Sequence, residues 1–113
     1  MEENNRRIKI ARQIQKDLSE IFRLKGMSSY GGAMITVSEA RMSPDLSIAR
    51  IFLSIFPSDK SKEVMKTVES EVKYLRGELG KRMRHQIRII PELVFVEDDS
   101  LDKLENIDRL LNK

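Results

Sequence analysis

The chain has 113 residues, with 21 Lys and Arg against 18 Asp and Glu for a formal net charge of +3, a length that fits one domain over residues 1–113. The absence of cysteine excludes a disulfide framework, a thiolate zinc site and cysteine catalysis, and the lone His85 has no imidazole partner for a metal or acid–base site. No apolar run approaches the roughly 20 residues of a membrane span, and the opening MEENNRRIKIARQ is polar with no signal-peptide core, so a soluble, cytoplasmic protein is expected.

Residues 5–25 read as an amphipathic helix, because Ala11, Ile14, Leu18, Ile21 and Phe22 recur at spacings of three and four. Lys9, Arg12, Gln13, Lys16 and Arg23 fall on the opposite side of the wheel and give that helix a basic outer face. Gly26 and the run Ser28-Ser29-Tyr30-Gly31-Gly32 end it, with the glycine pair expected as a hinge. Met34 to Met42 reads as a strand, and Ser43-Pro44-Asp45-Leu46 as a turn with Pro at its second position. Residues 48–56 alternate: Ala49, Ile51, Leu53 and Ile55 share one face, Arg50, Phe52, Ser54 and Phe56 the other. The two strands make a hairpin.

Ser58 or Asp59 is expected to cap the next helix. Val64, Val68, Val72, Leu75, Leu79 and Met83 keep one helical phase, which alone predicts a single long helix, although Gly77 and Gly80 weaken it. Ile87, Ile89 and Leu93 to Val96 predict a third strand, with Pro91 at an edge or bulge. Ser100 caps a last, acidic helix over 100–113 whose Leu101, Leu104, Ile107 and Leu111 form a stripe. A three-stranded sheet with helices over the Ala49/Ile51/Leu53/Ile55 face would bury these surfaces, an α+β arrangement.

Charge is unevenly placed along this framework. Residues 73–88 carry six basic side chains against one acidic, whereas 92–113 carry seven acidic against three basic. Clustered Lys and Arg favour polyanions, and two separated basic stripes track a phosphate backbone better than one. Such contacts carry no sequence information. His85 reads as an exposed loop residue, and Ser43 and Asp45 as side chains that satisfy the turn. Phe52 and Phe56 are expected under a helix, with base stacking as the alternative. No nucleotide-cradling or nucleophile-elbow motif is present, so neither an enzyme, a cofactor nor a small-molecule substrate is expected.

Two stretches, ITVSEARMSPDLSIARIFLSIF and YLRGELGKRM…IRIIPELVFVEDDS, resemble the most telling segments of the ribosome-binding factor A family. RRIKIARQIQKDLSEIF and SLDKLENIDRLL are similar to that family's beginning and end, so the resemblance spans roughly residues 6–111. It implies a type II KH-like domain of order α-β-β-α-α-β with an added C-terminal helix. It further implies a monomeric, non-catalytic factor without cofactor or metal. That factor binds the small ribosomal subunit and its RNA, assists late maturation and 5′-end processing, and is linked to growth in the cold. The alternative reading is a generic RNA-binding or protein-interaction module.

Carried over by position, the RNA-contact candidates are Arg7, Lys9, Arg12 and Lys16 on the first helix, with Lys73, Arg76, Lys81, Arg82, Arg84 and Arg88 downstream. KH domains clamp nucleotides with a GXXG loop, and none lies between the two helices here. The resembled family has an Ala-x-Gly kink at that point. Glu71-Val72-Lys73 stands there in this chain, with neither residue, so nucleotide clamping is not expected and the kink itself is left open.

Overall fold

The computed structural model describes residues 2–98, with side chains from residue 5 onward; the acidic helix expected over 100–113 lies outside the described residues. Helix α1 runs from Glu2 to Lys25. Ile10, Ala11, Ile14, Leu18, Ile21 and Phe22 are all buried along one side of it, as their spacing requires. Gly26 (φ 80°) ends the helix in a region that a Cβ disfavours. A short 3₁₀ turn, Met27–Tyr30, follows. The Gly31-Gly32 pair is a bonded turn, not the hinge expected: Gly32 N–H donates to Met27 O (2.9 Å) and Lys60 Nζ to Gly31 O.

Strands β1 (Met34–Met42) and β2 (Ile48–Phe56) form the expected antiparallel hairpin. Leu46 N–H closes its turn on Ser43 O at 3.0 Å. Asp45 accepts from the Ser43 hydroxyl (2.8 Å) and from the Ser47 backbone (3.1 Å) and hydroxyl (2.7 Å). These bonds, led by those of Ser47, hold its carboxyl down at about 2. A bulge at Ser38 shifts the register between Val37 and Glu39, and α1 is pinned there by Gln15 Nε2, which donates to Val37 O (3.1 Å).

Strand β3 (Glu92–Glu97) lies parallel to β2, giving the order β1-β2-β3. A parallel pair cannot be closed by a tight turn, and helices α2 (Ser61–Ser70) and α3 (Val72–Met83) supply the crossover. Ile14, Leu18, Ile51, Leu53, Val68, Leu75, Leu79 and Met83 are fully buried where the helices meet the sheet. Each such side chain stabilises the fold by about 1.5–3 kcal/mol over its exposed state. The α-β-β-α-α-β order on a mixed three-stranded sheet is the KH-like α+β arrangement.

Four local expectations need correction. The single long helix is two, broken at Glu71 (φ −101°, ψ 8°) and not at either glycine. One residue this close to helical geometry leaves the apolar phase intact, so periodicity passes over the break. Neither Ser58 nor Asp59 caps α2 through its side chain; both lie in a 3₁₀ turn that backbone bonds close, Lys60 N–H donating to Pro57 O at 3.1 Å. The third strand starts at Glu92, not Ile87, because Pro91 offers no N–H to a ladder. Ile87 is buried at the end of α3 and Ile89 is 82% exposed.

Finally, Phe52 and Phe56 do not lie under a helix. Ala49, Ile51, Leu53 and Ile55 take the face that all three helices cover, so the alternation sends the two phenylalanines to the opposite side. Phe56 is 70% exposed, and Phe52 is half-buried beneath Arg41, whose guanidinium carbon lies 5.6 Å from the ring centroid.

Candidate nucleic-acid interface

Packing one side of α1 onto the sheet forces the other side outward. Lys9, Arg12, Lys16 and Arg23 fall on that outer side, all exposed. Lys9, Arg12 and Lys16 make no hydrogen bond or ion pair with any described residue, so their charges are uncompensated by close partners. Arg23 is bonded to Glu20.

Helix α3 packs beside α1 and does the same. Leu75, Leu79 and Met83 are drawn inward, which leaves Lys73 and Lys81 pointing out and Arg82 toward α1. Glu20 stands between the two helices. Its carboxyl is held below the usual carboxylate range, first by the hydrogen bond from Arg23 and to a lesser degree by the charge of Arg82. The basic faces of α1 and α3 therefore adjoin, with the acids Glu20 and Glu78 between them. Lys81 also pairs with Glu78 at 3.4 Å, an exposed contact of little energetic weight.

Past Met83 the chain runs through Arg84, His85 and Arg88, all exposed. His85 Nε2 accepts from Arg84 Nε at 3.4 Å and is placed as the loop residue expected. Arg88 and Arg6 both line a groove between the start of α1, the Leu46–Ser47 turn and Pro91. Arg6 lies outside the expected contact set, and so does Arg23. Helical spacing from Lys9 and Lys16 points to both.

Two candidates are placed differently from the rest. Arg76 turns toward the chain: its Nε donates to Pro91 O (3.1 Å) and its Nη2 to Ile90 O (2.8 Å). It ties α3 to the segment leading into β3, and only part of its donor fork faces solvent. Arg7 is half-exposed on the sheet side of α1, in a groove shared with Arg12, Glu39 and Arg41. It is well round the helix from Lys9.

The junction between α2 and α3 is a closed polar knot. Lys25 at the end of α1 pairs with Glu71, and its ammonium lies 4.6 Å from the Tyr74 ring centroid and 5.9 Å from that of Tyr30. Burial, together with the neighbouring Glu71 carboxylate, pushes the Tyr30 phenol well above its ordinary range. An ion pair, not a small residue, stands at the break, and no glycine loop presents amides to a phosphate there. Among the described residues no group of three or more His, Cys, Asp or Glu is placed to hold a metal ion, and no helix is long and apolar enough to cross a membrane.

An α+β, KH-like domain whose helical layer carries two adjoining basic faces is built to meet a polyanion by charge and shape. The chain belongs to the ribosome-binding factor A family, whose model matches residues 6–111. It is 39% identical over 111 residues to the ribosome-binding factor A of Cytophaga hutchinsonii, covering 98% of this chain and 84% of that one. The crystal structure of ribosome-binding factor A from Thermus thermophilus superposes with a TM-score of 0.68 at 19% identity, over 80% of this chain and 94% of that one. A homology model of the same organism's factor, fitted into the cryo-EM map of a complex with the 30S subunit, gives 0.64 at 20% identity, over 78% and 90% of the two chains.

Proposed function

We propose that this protein is a small-subunit ribosome assembly factor. It binds the immature small ribosomal subunit through the outer faces of α1 and α3, and it assists late maturation and 5′-end processing of the subunit's RNA. It acts in the cytoplasm as one monomeric domain, by binding and not by catalysis, with no cofactor. Lys9, Arg12, Lys16, Lys73, Lys81, Arg82, Arg84 and Arg88 supply the phosphate contacts. Arg7 and Arg76 contribute from the margins of that surface.

The observation that carries this reading is the adjoining of the α1 and α3 basic faces along a groove that holds Arg82 and Glu78, in a chain whose family relative has been fitted into a 30S complex. The closed junction at Glu71 weighs against a generic reader of single-stranded RNA, which needs a nucleotide clamp.

Sedimentation of the purified protein with isolated small and large subunits over a salt series tests it. Selective pelleting with the small subunit is expected, with affinity falling by a log–log slope of about 0.7–0.9 per neutralised phosphate. Equal pelleting with both subunits, or a salt-insensitive complex, rules the reading out.

A further inference from the structure

The groove between α1 and α3 holds more than charge. It is lined by Ile21, Leu24 and Lys25 of α1 and by Tyr74, Glu78 and Arg82 of α3. Two of these are large apolar side chains left in solvent: Leu24 is 61% exposed and Tyr74 50%. Phe22, Tyr30 and Phe95 are buried in the core, and Phe52 and Phe56 belong to the far face of the sheet. Among the described residues, Tyr74 alone is an aromatic ring that the helical layer presents outward. Burial stabilises a ring only so far as it leaves water, so the fold gains little from the open half of Tyr74.

A surface made for phosphates alone has no use for that ring, nor for an acid at its centre. A carboxylate such as that of Glu78 repels a phosphate, but it accepts hydrogen bonds from the N–H groups on the edge of a base. An aromatic ring stacks on the face of a base whatever its identity. Glu78 follows Tyr74 by four positions on α3, which makes the two neighbours on one side of the helix. Together they can meet one base, on its face and at its edge. The Lys25 ammonium lies over the Tyr74 ring, 4.6 Å from its centroid, and is itself paired with Glu71. The ring is therefore held in place before any ligand arrives, which lowers the ordering cost of binding.

Size agrees as well. The groove has a volume of about 200 Å³, below the roughly 300–1,000 Å³ of a small-molecule site, so it takes a single ring system and not a whole ligand.

We infer that this groove receives one unpaired base of the small-subunit RNA. The base stacks on Tyr74 beside Leu24, Glu78 accepts from its edge, and the phosphates on either side meet Arg82 and the basic residues of α1 and α3. The inference rests on the small-subunit binding proposed above and adds to it a contact that carries no charge and that salt does not screen.

Pelleting of the full chain with isolated small subunits over a salt series tests it. Tyr74→Leu should weaken binding by about 5- to 150-fold, the loss of one stacked base, and should leave the log–log salt slope unchanged because it removes no charge. Tyr74→Phe should keep the parental affinity, since stacking needs the ring and not the hydroxyl. Glu78→Ala should weaken binding, whereas a surface that meets phosphates alone would bind more tightly without that acid. A p-azidophenylalanine in place of Tyr74 reads the same contact without loss of the ring: illumination with small subunits should join the chain to RNA, in a product that ribonuclease shortens. Parental affinity in Tyr74→Leu, an equal loss in Tyr74→Phe, or tighter binding by Glu78→Ala each overturns the inference. A ribonuclease-resistant product overturns it in favour of a ribosomal protein as the occupant, and so does the lack of any product. Failure of the parental chain to pellet overturns the underlying reading too, so the two failures are told apart.

Discussion

Truncation of Lys9, Arg12 and Lys16 together to alanine isolates the polyanion contribution of one helix face. All three are exposed and without a described partner, so their removal breaks no bond that holds the fold. Each surface substitution should shift stability by no more than about 0.5 kcal/mol. If each contacts one phosphate, the log–log salt slope of small-subunit binding becomes shallower by about 2–3. Affinity near 0.1 M salt then falls by about a hundredfold, the counterion release of three sites. Pelleting with the small subunit over a salt series reads both numbers from one experiment. Arg76→Ala is the contrasting variant. Its two carbonyl bonds hold the approach to β3, so it should lower the urea midpoint by the equivalent of about 1–3 kcal/mol while changing the slope by at most one contact. A triple variant that keeps the parental slope refutes the assignment of α1, and a destabilised triple variant refutes the claim that these charges are structurally idle.

Other consequences follow from particular contacts. Lys25→Ala leaves the half-buried Glu71 carboxylate without its partner beside Tyr30; a loss of about 1–3 kcal/mol is expected, measurable by urea unfolding, with Lys25→Arg retaining most of the stability. Gly77 lies inside α3 and a Cβ there meets nothing within 4 Å. Gly77→Ala should therefore raise stability by about 0.5–1 kcal/mol through helix propensity alone, and a fall in melting temperature would contradict the placement. Asp45 is held at about 2 against an ordinary 3.8 by its serine bonds. Because the folded value is the lower one, its contribution is complete above pH 4 and is lost as the pH falls toward 2. NMR titration of its carboxyl should show that low midpoint, and Ser47→Ala should raise it.

Much of the local structure is legible in the residues because burial imposes a period. The inward stripe of α1, the alternation of β2 and the Ser43–Leu46 turn each appear as predicted, since each is a repeat or a turn chemistry confined to neighbouring residues. The basic stripe of Lys9, Arg12 and Lys16 is legible for the same reason. It is whatever the buried stripe leaves over. Arg76 and Arg7 are not separable from the other candidates by any such rule. A charged side chain has no period of its own, and its direction is set by which carbonyls or strands lie beside it in space. Arg6 and Arg88, 82 positions apart in the chain, line one groove only because α1 passes the segment before β3.

By itself the sequence determined which face of each helix and strand is apolar, where the hairpin turns and where basic charge concentrates. All of these depend on interactions within a few residues along the chain. Only the tertiary structure decided that α2 and α3 part at Glu71, where Lys25 from the end of a different helix pairs with its carboxylate. It also decided that Phe52 and Phe56 face outward, because alternation says that two faces differ and not which of them the helices will cover. The adjoining of the α1 and α3 basic faces is likewise a product of packing. Two stripes some 65 residues apart become one surface when their buried sides share the same core.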